Sequence, residues 1–298
     1  VKQSTPGLAD YLLLIGLAVI FGASFILTNV AVSSISPLTV ATSRLLLATA
    51  MLYPLMRIKG QAFPKKGRIW LFIVAAAFFG NALPFALISW GQVSVDAGLT
   101  AILMAVMPLI TIVLAHVTTR DEKMNRYKLI GVVCGLIGVV ILMGWDQLGG
   151  LGDNMIRQYA IALGAVCYAI NAILTKQLTG IARLPMMTAL LLVATCMLLP
   201  FALLLESPWT QTPTSTALGA IVALAIGPTA LATLIILNII DRSGASFLSQ
   251  INFIVPLAGI FLAWLFLGEV LPTSAWIALS IILVGIALSR LGNDKRNL

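Results

Sequence analysis

"MPLITIVLAHVTTRDEKMNRYKLIGVVCGLIGVV" (Met107–Val140) and "VPLAGIFLAWLFLGEVLPTSAWIALSIILVGIAL" (Val255–Leu288) are one segment written twice. Pro108 aligns with Pro256 and Glu122 with Glu269, and a glycine follows sixteen residues after each glutamate, Gly138 and Gly285. Outward from there, "ISPLT" around Pro37 matches "RLPMM" around Pro185 at an offset of 148. "ILT" at Ile26–Thr28 returns at Ile173–Thr175, an offset of 147. The chain divides into halves, 1–145 and 155–298, joined by the polar, Gly-rich linker 146–154.

Each half is a series of apolar runs. Of the 298 residues 60% are hydrophobic and 9% charged, with a mean hydropathy of +1.06. A soluble domain carries about 25% charged residues. Runs near the ~20-residue spanning length fall at about 11–32, 37–56, 69–91, 97–117, 128–144, 157–178, 185–205, 215–239, 245–267 and 272–290. The expected fold is an all-α integral membrane protein of ten transmembrane helices, five per half. The first run is too long for a signal peptide and lacks a small-residue cleavage site, so it reads as the first helix of the mature protein.

Five is odd, so the second half inserts upside down relative to the first. Charge agrees loop by loop. The loop after the second run holds Arg57, Lys59, Lys65, Lys66 and Arg68, whereas its mate "ESPWTQTPTST" has no cation. The loop after the fourth holds Arg120, Lys123, Arg126 and Lys128, and its mate around Glu269 has none. "SSIS" is uncharged, and its mate carries Lys176 and Arg183. Placing both termini in the cytoplasm puts sixteen of the eighteen basic residues there, as the positive-inside rule requires. The net charge of +8 is therefore an orientation signal, and no nucleic-acid partner is expected. Inverted repeats of this kind place a substrate site at their interface.

The two glutamates precede the fifth and tenth runs, where water or a following helix N-terminus holds a negative charge well, with a proton-coupling role as the alternative reading. Pro108 and Pro256 each remove a backbone donor within a run, so each is expected to kink its helix and act as a hinge. Cys134, Cys167 and Cys196 lie in apolar runs without ligand spacing and read as packing residues.

Two five-helix halves, the proline followed by "GE", and "SRLLLA" at Ser43–Ala48 resemble the drug/metabolite transporter superfamily in its EamA branch. "RDE" at Arg120–Glu122 stands where the pattern has "GE". The resemblance covers essentially the whole chain. It implies a central cavity lined by helices 1–4 and 6–9, with helices 5 and 10 peripheral, and the activity of a bacterial exporter of amino acids and related metabolites in the inner membrane. Gly131 and Gly135, one turn apart in the otherwise apolar fifth run, independently suit close helix packing.

Ionisable residues inside the membrane are functional candidates by default, and Arg44 and His116 are the two here. Arg44 reads either as a pairing group holding helices together or as an attractor for a substrate carboxylate. His116 reads as an interfacial anchor or a proton carrier. The remaining candidates are uncharged. Phe21, Ser24 and Thr28 share one face of the first helix, as their mates Tyr168, Asn171 and Thr175 do in the sixth. Asn81 pairs with Thr229 by symmetry, and Gln250 and Asn252 stand where the first half has Ile102 and Met104. Buried amides are costly unless paired, so these face the interior, among Phe78, Phe85, Met104 and Met107. Such a lining suits a small zwitterion or an uncharged metabolite.

Sugar phosphates, which need cations against buried phosphate, fit poorly. With one histidine and no acid deep in any span, neither an acid–base pair nor a metal or haem ligand set is visible. No enzyme, cofactor or metal is expected. A monomer or weak oligomer in the lipid bilayer, working on a small-molecule substrate, is.

Overall fold

The computed structural model describes residues 7–65, 67–118, 124–143, 153–175, 178 and 180–294. Glu122 and nearly all of the expected linker lie outside them. The regular structure of the described residues is helical, in α1 (Leu8–Val32), α2 (Pro37–Ile58), α3 (Ile69–Gly91), α4 (Ala97–Thr118), α5 (Arg126–Met143), α6 (Asp153–Thr175), α7 (Arg183–Glu206), α8 (Ser215–Gly244), α9 (Ile251–Leu267) and α10 (Thr273–Asp294). Among these residues seven helices are long and apolar enough to cross a membrane, α1–α4 and α6–α8. The apolar stretches Ile251–Leu267 and Thr273–Leu288 are shorter. This is the helical membrane protein that the composition demands.

Prolines and glycines shape the helices. Pro84 and Pro228 cannot donate to the carbonyls four residues before them, and their rings crowd those oxygens. In both places the helix widens to the i+5 register, over Phe78–Ala82 in α3 and Ala225–Leu231 in α8. Single-turn widenings of this sort recur at functional sites. α4 is broken at Ala105–Val106, immediately before Pro108, whose missing N–H ends the first segment. The corresponding break in the second half falls elsewhere. α9 runs unbroken through Pro256, and the chain instead turns at Ser249–Gln250. Just upstream, Gly244 has φ 85° and ψ 167°, a region essentially closed to residues with a Cβ. The expected run 245–267 therefore begins later, at Ile251.

Packing follows the small residues. α5 lies along α10, and the approach is close enough that a Cβ on Gly285 would sit 2.6 Å from the Gly131 carbonyl oxygen. α2 packs on α7, and α1 on α9. Leu45, Leu52 and Met56 of α2, Ile73 of α3 and Leu191 of α7 form one apolar core.

Polar contacts collect at the end of the bundle that is poor in lysine and arginine, and there they join the two halves of the sequence. Glu206, the last residue of α7, accepts from the Leu38 and Thr39 N–H groups at 3.0 and 2.7 Å, capping α2. The Glu269 carboxylate accepts from Ala97 and Gly98 N–H at 2.9 and 2.8 Å, capping α4. This corrects the expectation that Glu269 serves the helix following it. A free helix N-terminus presents unsatisfied N–H groups, and the α4 terminus lies within reach of the α9–α10 loop. Arg157 adds a bond to the Trp90 carbonyl at 2.6 Å and stacks on its ring. At the opposite end, Asp10 pairs with Arg242 at 2.8 Å, and Arg183 with Asp241.

Candidate functional site

A cavity of about 420 Å³ lies inside the bundle, within the ~300–1,000 Å³ range of small-molecule sites. Its wall is drawn from α1–α4 and α6–α9, with the segment ahead of each proline contributing residues from α4 and α9. α5 and α10 contribute none of the residues found there.

The fork of Arg44 is the polar centre. Arg44 is 8% exposed, and its Nε donates to Thr229 Oγ1 at 2.7 Å, while its guanidinium lies 4.1 Å from the centre of the Phe85 ring. Thr229 is fixed in turn. Its hydroxyl donates to the Leu224 carbonyl at 2.8 Å, the oxygen that Pro228 cannot serve, and so turns a lone pair toward Arg44. The wide turn of α8 thus orients an arginine on α2.

Phe21, Ser24 and Thr28 of α1 line the cavity, as do Tyr168, Asn171 and Thr175 of α6, so the three-and-four spacing turns one face of each helix to the cavity. Thr28 and Thr175 spend their hydroxyl protons on the Ser24 and Asn171 carbonyls one turn back. Asn81, Met104, Thr229, Asn252, Pro108 and Pro256 also line it. Phe78 does not. It is 39% exposed and sets its edge against Phe79, because the i+5 turn that begins there rotates it outward. Gln250 does not line it either, since it sits in the turn ahead of α9. His116 lies away from the cavity, where its Nδ1 accepts from the Met124 N–H at 3.0 Å and closes the α4–α5 connection.

Gly80 was not legible as part of the site. A Cβ there would fall 2.6 Å from Asn171 Cγ, so the glycine makes room for the amide. The usable signal was Pro84, four residues on, which disturbs α3 at that point.

A sequence profile of the EamA-like transporter family matches residues 8–144 and again residues 156–291. The chain belongs to the EamA-like transporter family. An uncharacterized transporter of Bacillus subtilis, YoaV, is 24% identical to this EamA protein over 95% of the chain and 97% of its own length. The uncharacterized inner membrane transporter YedA of Escherichia coli is 22% identical over 94% and 90%. An S-adenosylmethionine/S-adenosylhomocysteine transporter of Chlamydia muridarum is 24% identical over 91% and 88%. A solved crystal structure aligns over 92% of this chain and 98% of its own with a TM-score of 0.65 at 17% identity, a likeness of fold. Transport is the activity for which the family and these relatives are named.

Proposed function

We propose that this EamA protein exports small metabolites, amino acids foremost, across the bacterial inner membrane by alternating access of two inverted five-helix repeats. The observation that carries the reading is the cavity, which takes its wall from both halves and sets one cation and several amides among apolar side chains. The repeats then cross the bilayer ten times, with both termini in the cytoplasm. The cross-half contacts of Glu206, Glu269 and Arg157 close the outer end, so the solute loads from the cytoplasm. The Chlamydia relative offers chemical support, because S-adenosylmethionine and S-adenosylhomocysteine both bear an amino-acid head group. With no acid on the wall among the described residues, facilitated diffusion accounts for movement without a proton carrier in the cavity.

The test is uptake and efflux by purified protein in liposomes, over a panel of amino acids, with and without a pH gradient. Counterflow of at least one amino acid, insensitive to the gradient, is the expected result. Movement of uncharged solutes alone would overturn the substrate class, and movement of no solute would overturn transport itself.

A further inference from the structure

The cavity wall carries one formal charge and, among the described residues, nothing to cancel it. Arg44 holds a neutral hydroxyl at Nε and a ring face at 4.1 Å, and neither supplies an anion. A guanidinium taken from water is costly unless paired with opposite charge. Because Nε is already occupied, the two terminal nitrogens are left as a fork, the geometry that binds a planar carboxylate through two parallel bonds. One cation balances one carboxylate. It does not balance a dianionic phosphate.

A second group waits unpaired. Asn171 Oδ1 is buried and has no hydrogen-bond partner, which is rare for a buried amide. Its side chain occupies the space Gly80 leaves free and lines the same cavity as Arg44. An amide oxygen accepts and does not donate, so the group it lacks is a donor. An ammonium supplies one.

The rest of the wall sets the third requirement. Phe21, Phe25, Met104 and Met107 are apolar, and the two methionines offer the adaptable surface that suits an unbranched or sulfur-containing chain.

We propose that Arg44 receives the carboxylate of the transported solute, that Asn171 accepts from its ammonium group, and that its uncharged side chain lies against Met104, Met107, Phe21 and Phe25. The solute is an amino acid with an apolar side chain. The assignment rests on the amino-acid reading above and narrows it to a head-group geometry.

Titration calorimetry of the full chain in nanodiscs tests it with three probes that differ by one group each. L-methionine is expected to bind. L-methioninamide, which has no carboxylate, is expected to bind about tenfold more weakly or worse, the scale of a charge-assisted hydrogen bond. 4-(Methylthio)butyrate, which has no ammonium, separates amino acids from simple organic acids. It is expected to bind more weakly than methionine and to be indifferent to Asn171→Ala, which weakens methionine itself. Arg44→Lys keeps the charge without the fork and is expected to weaken both carboxylates. The probe series on the unaltered chain stands whether or not that variant folds. Equal binding of methionine and methioninamide would overturn the Arg44 assignment. Equal loss of methionine and butyrate in Asn171→Ala would overturn that of Asn171. Binding of no probe overturns the proposal, and liposome transport of another solute then shows that the export reading survives it.

Discussion

Thr229 joins two elements through one hydroxyl, donating to Leu224 and accepting from Arg44. Thr229→Val keeps the shape and deletes both bonds, stranding a buried carbonyl and a buried guanidinium nitrogen. A group left unsatisfied in this way costs about 1–3 kcal/mol, so the valine variant should melt lower than the unaltered protein in detergent. Thr229→Ser keeps the hydroxyl and should restore most of the loss. Equal melting of the valine and serine variants would show that the hydroxyl does not hold the arginine. At this scale the sequence was informative about which residues matter and poor about their partners. Thr229 stood out as the mate of Asn81. Its bond to Arg44 spans 185 residues, and no local pattern encodes such a distance.

At the scale of helices, similar glycines carry different costs. A Cβ on Gly285 meets a backbone oxygen at 2.6 Å, whereas one on Gly135 meets the tip of the Leu109 side chain. A backbone cannot step aside, and a leucine tip rotates. Gly285→Ala should therefore force α5 and α10 apart and cost about 1–3 kcal/mol, in the range of overpacking, whereas Gly135→Ala should cost less. Thermal melts of the two variants side by side decide it. Helix ends behave likewise. Glu269→Ala strips the α4 cap, and losing a cap costs about 0.5–2 kcal/mol. Hydrogen exchange at Ala97 and Gly98 should accelerate, with the α2 terminus, held by Glu206, unchanged. The helices themselves were legible because apolar runs of spanning length leave few alternatives. The wide turns of α3 and α8 and the break before Pro108 were not, because a proline predicts a disturbance and the surrounding packing decides where it is absorbed.

At the scale of the whole molecule, orientation and access remain the quantities to measure. Reporter cysteines are best placed on a background lacking Cys134, Cys167 and Cys196. With both termini in the cytoplasm, an impermeant reagent should label Ser215→Cys from outside intact cells and leave Lys65→Cys untouched. Strong outside labelling of Lys65→Cys would reverse the proposed orientation. In that frame the carboxylate caps hold the outer end shut. Glu206→Gln combined with Glu269→Gln weakens both, and should raise the reactivity of Ser24→Cys toward reagent added from outside. A shift of about 1.4 kcal/mol changes the ratio of the two states tenfold. If the halves are inverted as proposed, Pro108→Ala and Pro256→Ala should shift the same reporter in opposite directions, with a larger shift from Pro108, which follows a helix break, than from Pro256, through which α9 is continuous.

The joining of the halves at that end also has a consequence for how sequences related to this one can drift. Glu206 and Glu269 bind main-chain N–H groups of Leu38, Thr39, Ala97 and Gly98, and every amino acid except proline supplies that donor. Each main-chain contact therefore constrains one partner far more than the other, whereas Thr39, whose hydroxyl also donates to Glu206 at 2.8 Å, ties two side chains together. Substitution at Leu38 or Ala97 leaves the bond in place, whereas substitution at either glutamate removes it. Gly98 is tighter, since a Cβ would stand 3.1 Å from Glu269 Oε2. Paired changes, the usual trace of two residues in contact, would consequently be faint across this seam except between Thr39 and Glu206. A saturation-mutagenesis scan should find it as two intolerant acids facing helix ends that are permissive at Leu38 and Ala97 and restricted at Thr39 and Gly98.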